Sequence, residues 1–308
     1  MTGLIGLNTE IYCKNEVLGK VFTTNISGIE FKIYFPALKS KEMRKALEKG
    51  NPVPLVPPTF ARPILLNDKP INWGYLSNTS RKDASIFYLA CSVECSPEDE
   101  ERIADILLDA SVKWEENFVN YCHLAGRFIS KLSKNQKVVN IPFTLFGRRG
   151  VIGRGATYYV DMKYAEDSQY LSTEQIAKAI EFASSNKEFN MEYQLLLVAS
   201  ESKRNFRNKH AIFDACSAVE VCLNKVIDNY AKNIGKKPEE LPKHRLLGDK
   251  FKFVKQIDSN FPNIDAEKIV DLRNDIAHSR KSVFTDNEAE EVIHSVEICL
   301  EHFTPELF

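Results

Sequence analysis

The stretch Ser172–Ser185, STEQIAKAIEFASS, divides the chain into two textures. Its Ser-Thr pair followed by Glu is the layout that caps a helix N-terminus, where a hydroxyl takes up one of the backbone N–H groups that the first turn leaves unbonded. Beyond it almost every segment has helical period, which predicts helices over 172–186, 190–203, 208–233, 244–259, 265–280 and 286–303. The breaks between the later ones, NIGKKPEELPK, SNFPNI and RKSVFT, carry turn residues. No strand pair is visible in this half.

Working back from Ser172, strand character dominates. VFTTNISGIEFKIYFPAL (21–38) and DASIFYLACSVEC (83–95) are rich in β-branched and aromatic residues. Between them NPVPLVPPTFARP (51–63) holds five of the 13 prolines, which predicts an extended loop or a sheet edge. The segment from Ser96 to Phe128 reads as one long amphipathic helix packed on the sheet. Ser96 serves as its N-cap, Pro97 as its first residue, and Ile103, Ile106, Leu107, Ala110 and Trp114 as its apolar stripe. A further strand pair is expected within VVNIPFTLFGRRGVIGRGATYYVDMKY (138–164), flanking a basic, glycine-rich loop from Gly147 to Gly155. Arg148, Arg149 and Arg154 of that loop are candidate phosphate contacts. The loop lacks the Lys-Ser ending of a P-loop and the strand-to-helix setting of a dinucleotide fingerprint, so a hairpin is the expectation. The fold class is therefore α+β in two domains: a β-rich domain with a long packed helix over 1–168, and an all-helical bundle over 169–308.

Composition sets the outer limits. The 308 residues are 44% hydrophobic and 27% charged, with no apolar run long enough to span a bilayer and no basic-then-apolar leader, so a cytoplasmic protein without a membrane partner is expected. Seven cysteines without pairwise rhythm fit reduced thiols. Cys91 and Cys95 are read on one face of a strand, and no second ligand pair at zinc spacing accompanies them, so neither a structural metal nor a cofactor is expected. The net charge of −1 hides a segregation. Lys203–Lys255 carries 13 Lys and Arg against 6 Asp and Glu, whereas 256–308 carries 4 against 12. The basic stretch suits a polyanion or, equally, a solvated helix face.

Within the helical half, DLRNDIAHSR (271–280) places Arg273 on the flank of a stripe formed by Ile269, Leu272 and Ile276. A guanidinium there calls for a partner or a cleft. Asn274 and His278 are four apart and share a face, whereas Arg273 and His278 are about 140° apart around the cylinder and do not meet within one helix. A second copy related by a twofold axis would bring two such pairs together. Spacing alone is uninformative: about one Arg-to-His match at four to six residues is expected by chance, and Arg204–His210 also fits. The plain alternative is that Arg273 bridges a carboxylate such as Asp271 and His278 caps the helix end.

The segment LRNDIAHSR, together with the long helix AIFDACSAVEVCLNKVIDNYA containing Glu220, resembles the Arg-x4-His signature and helix order of the HEPN family over roughly 172–308. That resemblance implies a metal-independent ribonuclease acting as a homodimer on RNA such as tRNA or mRNA, in toxin, anti-phage defence or RNA-processing settings, with an antitoxin or regulatory partner in some systems. It makes Arg273 and His278 catalytic and Asn274 their polar neighbour. Members regulated by nucleotidyl transfer have Tyr two places after the His; this chain has Arg280. The residue types suit the chemistry, since His titrates near neutrality and can take the 2′-OH proton, while Arg offers a fixed planar cation for the phosphorane. Lys203, Arg204, Arg207 and Lys209 in SKRNFRNKH are the candidate backbone contacts. A non-catalytic bundle of this type that binds RNA or a protein is the alternative reading.

Overall fold

The computed structural model describes residues 1–39, 53–60, 65–66, 69–78, 83–126, 143–147, 150–151, 170–185, 187–241 and 246–307. They form an antiparallel sheet and seven α-helices. The chain divides into two compact units, one of Met1–Gly126 with Asn135–Lys187 and one that includes Glu188–Phe308.

In the first unit the main sheet runs in the order β10-β9-β1-β8-β3-β2. Its strands are β1 (Thr2–Lys14), β2 (Val21–Ile26), β3 (Ile29–Tyr34), β8 (Asp83–Ser92), β9 (Phe143–Gly147) and β10 (Gly150–Val151). β7 (Gly74–Asn78) also pairs with β8, and β4 (Val53–Pro54) pairs with β7; β5 (Leu65–Leu66) and β6 (Lys69–Pro70) form a separate two-stranded ladder. β8 is buried on both faces from Asp83 to Cys91, which explains its near-continuous apolar sequence. Between Gly6 and Ile11 the β1–β8 register slips, and the bulge carries Thr9 and Glu10 into the interior. There the His123 Nε2 lies 3.1 Å from both the Thr9 hydroxyl and the Glu10 carbonyl, so the imidazole satisfies groups that the bulge takes out of the ladder.

The long helix α1 spans Glu100–Ala125 and buries Ile103, Leu107, Trp114 and Phe118. Its N-cap is Asp99, three residues later in the chain than the expected Ser96. Ser96 instead closes a turn ahead of the helix, its hydroxyl bonding to the Asp99 carboxylate and accepting from the Asp99 N–H. Cys95 lies beyond the end of β8 and so does not share a strand face with Cys91. All seven cysteines are free thiols, and only Cys95 is not fully buried.

Helix α2 (Thr173–Ser184) begins with a reciprocal capping box between Ser172 and Gln175. Its stripe of Ile176, Ala179, Ile180 and Ala183 faces α1, where the Trp114 indole donates to the Ser184 hydroxyl at 2.9 Å. Leu171, just ahead of it, exchanges backbone bonds with Tyr12 and Lys14. The unit boundary therefore falls after Lys187 rather than at 168/169, because α2 buries its apolar face against the sheet unit.

The second unit is helical: α3 (Met191–Arg204), α4 (Asn208–Asn233), α5 (Leu247–Ile257), α6 (Ala266–Ala277) and α7 (Asp286–Phe303). The other four helices all pack on α4. Ala211, Ala215 and Ala218 are fully buried on it and let neighbours approach closely. A half-exposed ion pair joins α3 to α4: both Glu192 oxygens, in a side chain without solvent exposure, lie 2.7 Å from the ammonium of the partly exposed Lys225. Thr285 and Glu288 form the capping box of α7. Among the described residues no helix is long and apolar enough to cross a membrane.

Candidate functional site on the helical unit

Helix α6 is positioned by Ile269, Leu272 and Ile276, all buried. Its seam with α4 is marked by the Cys216 thiol, which points at the Ile269 carbonyl at 3.8 Å. Arg273 is half-buried on the flank of the stripe, as its angular position predicted. Burial pushes the Cys216 thiol up to about 12, and the Arg273 cation pulls against that shift while Glu220 adds to it. The guanidinium and the Glu220 carboxylate therefore both bear on one point of α4. Glu220 in turn accepts from the Lys250 ammonium of α5, a side chain only 9% exposed.

Asn274 is half-buried, and His278 is exposed at the C-cap of α6. The bond between them is a backbone one, His278 N–H to Asn274 O at 2.9 Å; among the described residues no amide-to-imidazole bond joins their side chains. Ser279 turns the chain with φ of 51°, and the Arg280 N–H closes onto the Asp275 carbonyl. The imidazole thus stands on the solvent side of a helix end. Within one protomer the helical geometry leaves Arg273 at the α4 seam and His278 about 140° away around the cylinder.

The basic stretch is less uniform than the sequence implied. Lys203 is 4% exposed and its ammonium is bound by Glu290 at 3.0 Å, so it is committed to holding α3 on α7. Arg204 is half-buried, its Nε sealed from solvent without a hydrogen-bond partner, and burial lowers its pKa. Arg207, Lys209 and His210 are exposed around the first turn of α4, which has no side-chain N-cap bond and no acid. Arg148, Arg149 and Arg154 lie outside the described residues; β10 begins at Gly150, inside the expected loop.

Several neighbours of these residues had no sequence signature. Asn208 donates to the Phe284 carbonyl and to Asp286, across 76 and 78 residues of chain. Asp214 is raised by burial, against which the His210 charge and a bond from Ser202 act. Phe206 and Phe213 are exposed aromatics beside the basic turn, at 66% and 46%. Their exposure was unreadable from a pattern in which aromatic residues count as core. A cleft of about 280 Å³ between α6 and α7 is lined by Asp265, Lys268, Ile269, Glu291 and His294 among others, and none of the Arg273, Asn274 and His278 side chains lines it. The Lys268–Glu291 ion pair spans these two helices. Compared with known proteins, the chain matches no family model, no curated protein and no solved structure.

Proposed function

We propose that the helical unit is an RNA-cleaving module of HEPN type, an effector whose reactive groups are Arg273 and His278. The observation that carries this reading is the division of labour along α6: a guanidinium held half-buried against α4, and an imidazole exposed at the helix end. The first is a fixed, partly desolvated cation and the second an accessible base. Two copies about a twofold axis would supply both at one scissile phosphate, which a single copy does not. His278 takes the proton from the ribose 2′-OH as that oxygen attacks phosphorus. Arg273 neutralises the phosphorane, and the imidazolium of the partner copy returns a proton to the departing 5′-oxygen. The products are a 2′,3′-cyclic phosphate and a 5′-hydroxyl end. Asn274 sets the backbone of the last turn through its carbonyl. DNA, without a 2′-OH, is not a substrate in this scheme.

The test has two arms. Structured and single-stranded RNA are incubated with the full chain in EDTA, and cleavage that His278→Ala abolishes supports the reading. Ser279→Cys placed beside His278, in a Cys95→Ser background, is treated with a short bis-maleimide; cross-linked dimers support convergence of the two α6 ends. No cleavage by the wild type, or equal cleavage by His278→Ala, removes the proposal. The second reading, a non-catalytic bundle that binds RNA or a protein, is favoured by the separation of Arg273 from His278 in one protomer. It predicts salt-dependent binding that survives loss of His278.

A further inference from the structure

We infer that one face of α4 is a track for single-stranded RNA, on which exposed aromatic rings stack bases while the basic turn holds phosphates. The inference rests on the reading of the α4–α6 seam as the reactive site and specifies the strandedness of what reaches it.

His210, Phe213 and Ser217 follow one another at spacings of three and four, so they form a row along one side of α4. Phe206 stands just ahead of the helix, in a backbone with φ of 59°, and is 66% exposed. Phe213 is 46% exposed in the second turn, where the Ser217 hydroxyl bonds back to its carbonyl. An aromatic ring left this open to water is stabilised by an apolar surface that covers it. Phe213 precedes Glu220 by seven residues and lies about 20° from it around the cylinder. It therefore points to the side of α4 on which Arg273 acts at Cys216, one turn further on.

The charge around the row selects the occupant. From Lys203 to Phe213 the sequence KRNFRNKHAIF contains four Lys and Arg and no acid. Lys203 is taken by Glu290, which leaves Arg204, Arg207 and Lys209. Among the described residues Arg204 has no ion pair with an acid, and its Nε is buried without a partner. A desolvated cation in that position is stabilised by an anion. Glu201, exposed three residues before Arg204, is the acid whose charge bears on that guanidinium, without an ion pair between them; Asp214 is engaged by Ser202 and the charge of His210, and Glu220 by Lys250. Phosphates beside flat apolar rings are what a polynucleotide with unstacked bases presents. A duplex hides its base faces, whereas a single strand offers one to each ring.

Binding is measured by fluorescence anisotropy on the full chain with a short uridine-rich 2′-O-methyl RNA, alone or annealed to its complement. This probe has no 2′-OH nucleophile, so binding is read apart from cleavage. The single strand is expected to bind at least about ten-fold more tightly than the duplex. Phe213→Ala and Phe213→Leu each weaken single-strand binding by about five-fold or more, and Phe213→Trp retains it. Phe213→Leu keeps bulk without a ring, so its loss of affinity does not reduce to a folding defect. Arg207→Gln flattens the logarithmic salt dependence by roughly 0.7. Equal affinity for duplex, or unchanged affinity in Phe213→Leu, overturns the track. So does a change in sedimentation with affinity unaltered, which would make this face a self-association surface. If natural RNA is not cleaved while these binding effects hold, the catalytic reading fails and the track stands. If cleavage proceeds while Phe213 has no effect, the reverse is concluded.

Discussion

The Glu220–Lys250 pair makes an asymmetric prediction about the helical unit. The Lys250 side chain is 9% exposed and the Glu220 side chain 28%, so the pair joins a buried ammonium to a carboxylate that water reaches. Removing the carboxylate by Glu220→Ala strands the ammonium. Stripping one partner from a buried pair costs about 3–5 kcal/mol, and the lysine stem can relax its head toward solvent, which brings the expected loss to about 2–3 kcal/mol. Lys250→Met has the opposite outcome. It leaves Glu220 to rehydrate and fills the same space with an apolar chain, so its cost is under about 1 kcal/mol. With a urea dependence of roughly 2 kcal/mol per molar, Glu220→Ala lowers the midpoint by about 1–1.5 M and Lys250→Met by less than about 0.5 M. The assay is far-ultraviolet circular dichroism, because both tryptophans, Trp73 and Trp114, belong to the first unit and their fluorescence does not follow the second. A Lys250→Met variant as unstable as Glu220→Ala would refute the assignment of the lysine as the buried partner.

Two further predictions concern the scaffold. Gly74 has φ of 126°, and a Cβ there would meet the Ser85 carbonyl oxygen at 2.1 Å, so Gly74→Ala costs about 3 kcal/mol or more, read as a lowered urea midpoint by Trp73 fluorescence. The His302 imidazole, 2.6 Å from Asp258, holds that carboxyl below its ordinary value. A depressed carboxyl contributes stability above the ordinary carboxylate pKa, and the contribution fades as pH falls through the lower folded value. His302→Ala should therefore return the Asp258 titration, followed by carbon NMR, toward the ordinary value and flatten that part of the acid limb; an unmoved titration would refute the pairing.

The legibility of this chain tracks the range of the forces involved. Period and caps are local, so α4 (208–233) and α7 (286–303) coincide with their expected spans, and the half-burial of Arg273 follows from its angle to Ile269. Choice of partner is not local. The stripe of α2 has the same period whether it meets α1 or α3, and what ties it to the sheet unit is non-local, including the backbone exchange of Leu171 with β1. Lys203 shows the same limit: its acid lies 87 residues away, so a basic run in the sequence concealed a buried strut. The exposure of Phe213 was hidden for a related reason, since a ring at helical spacing reads as core until the surface is seen.

The claim that Arg273 and His278 perform metal-free transesterification is tested most directly by the ends of the RNA fragments. Mass spectrometry of products formed by the full chain in EDTA should show 2′,3′-cyclic phosphate and 5′-hydroxyl termini, both absent with His278→Ala. Fragments ending in 3′-hydroxyl and 5′-phosphate, or the same cyclic ends in undiminished yield from His278→Ala, would contradict it.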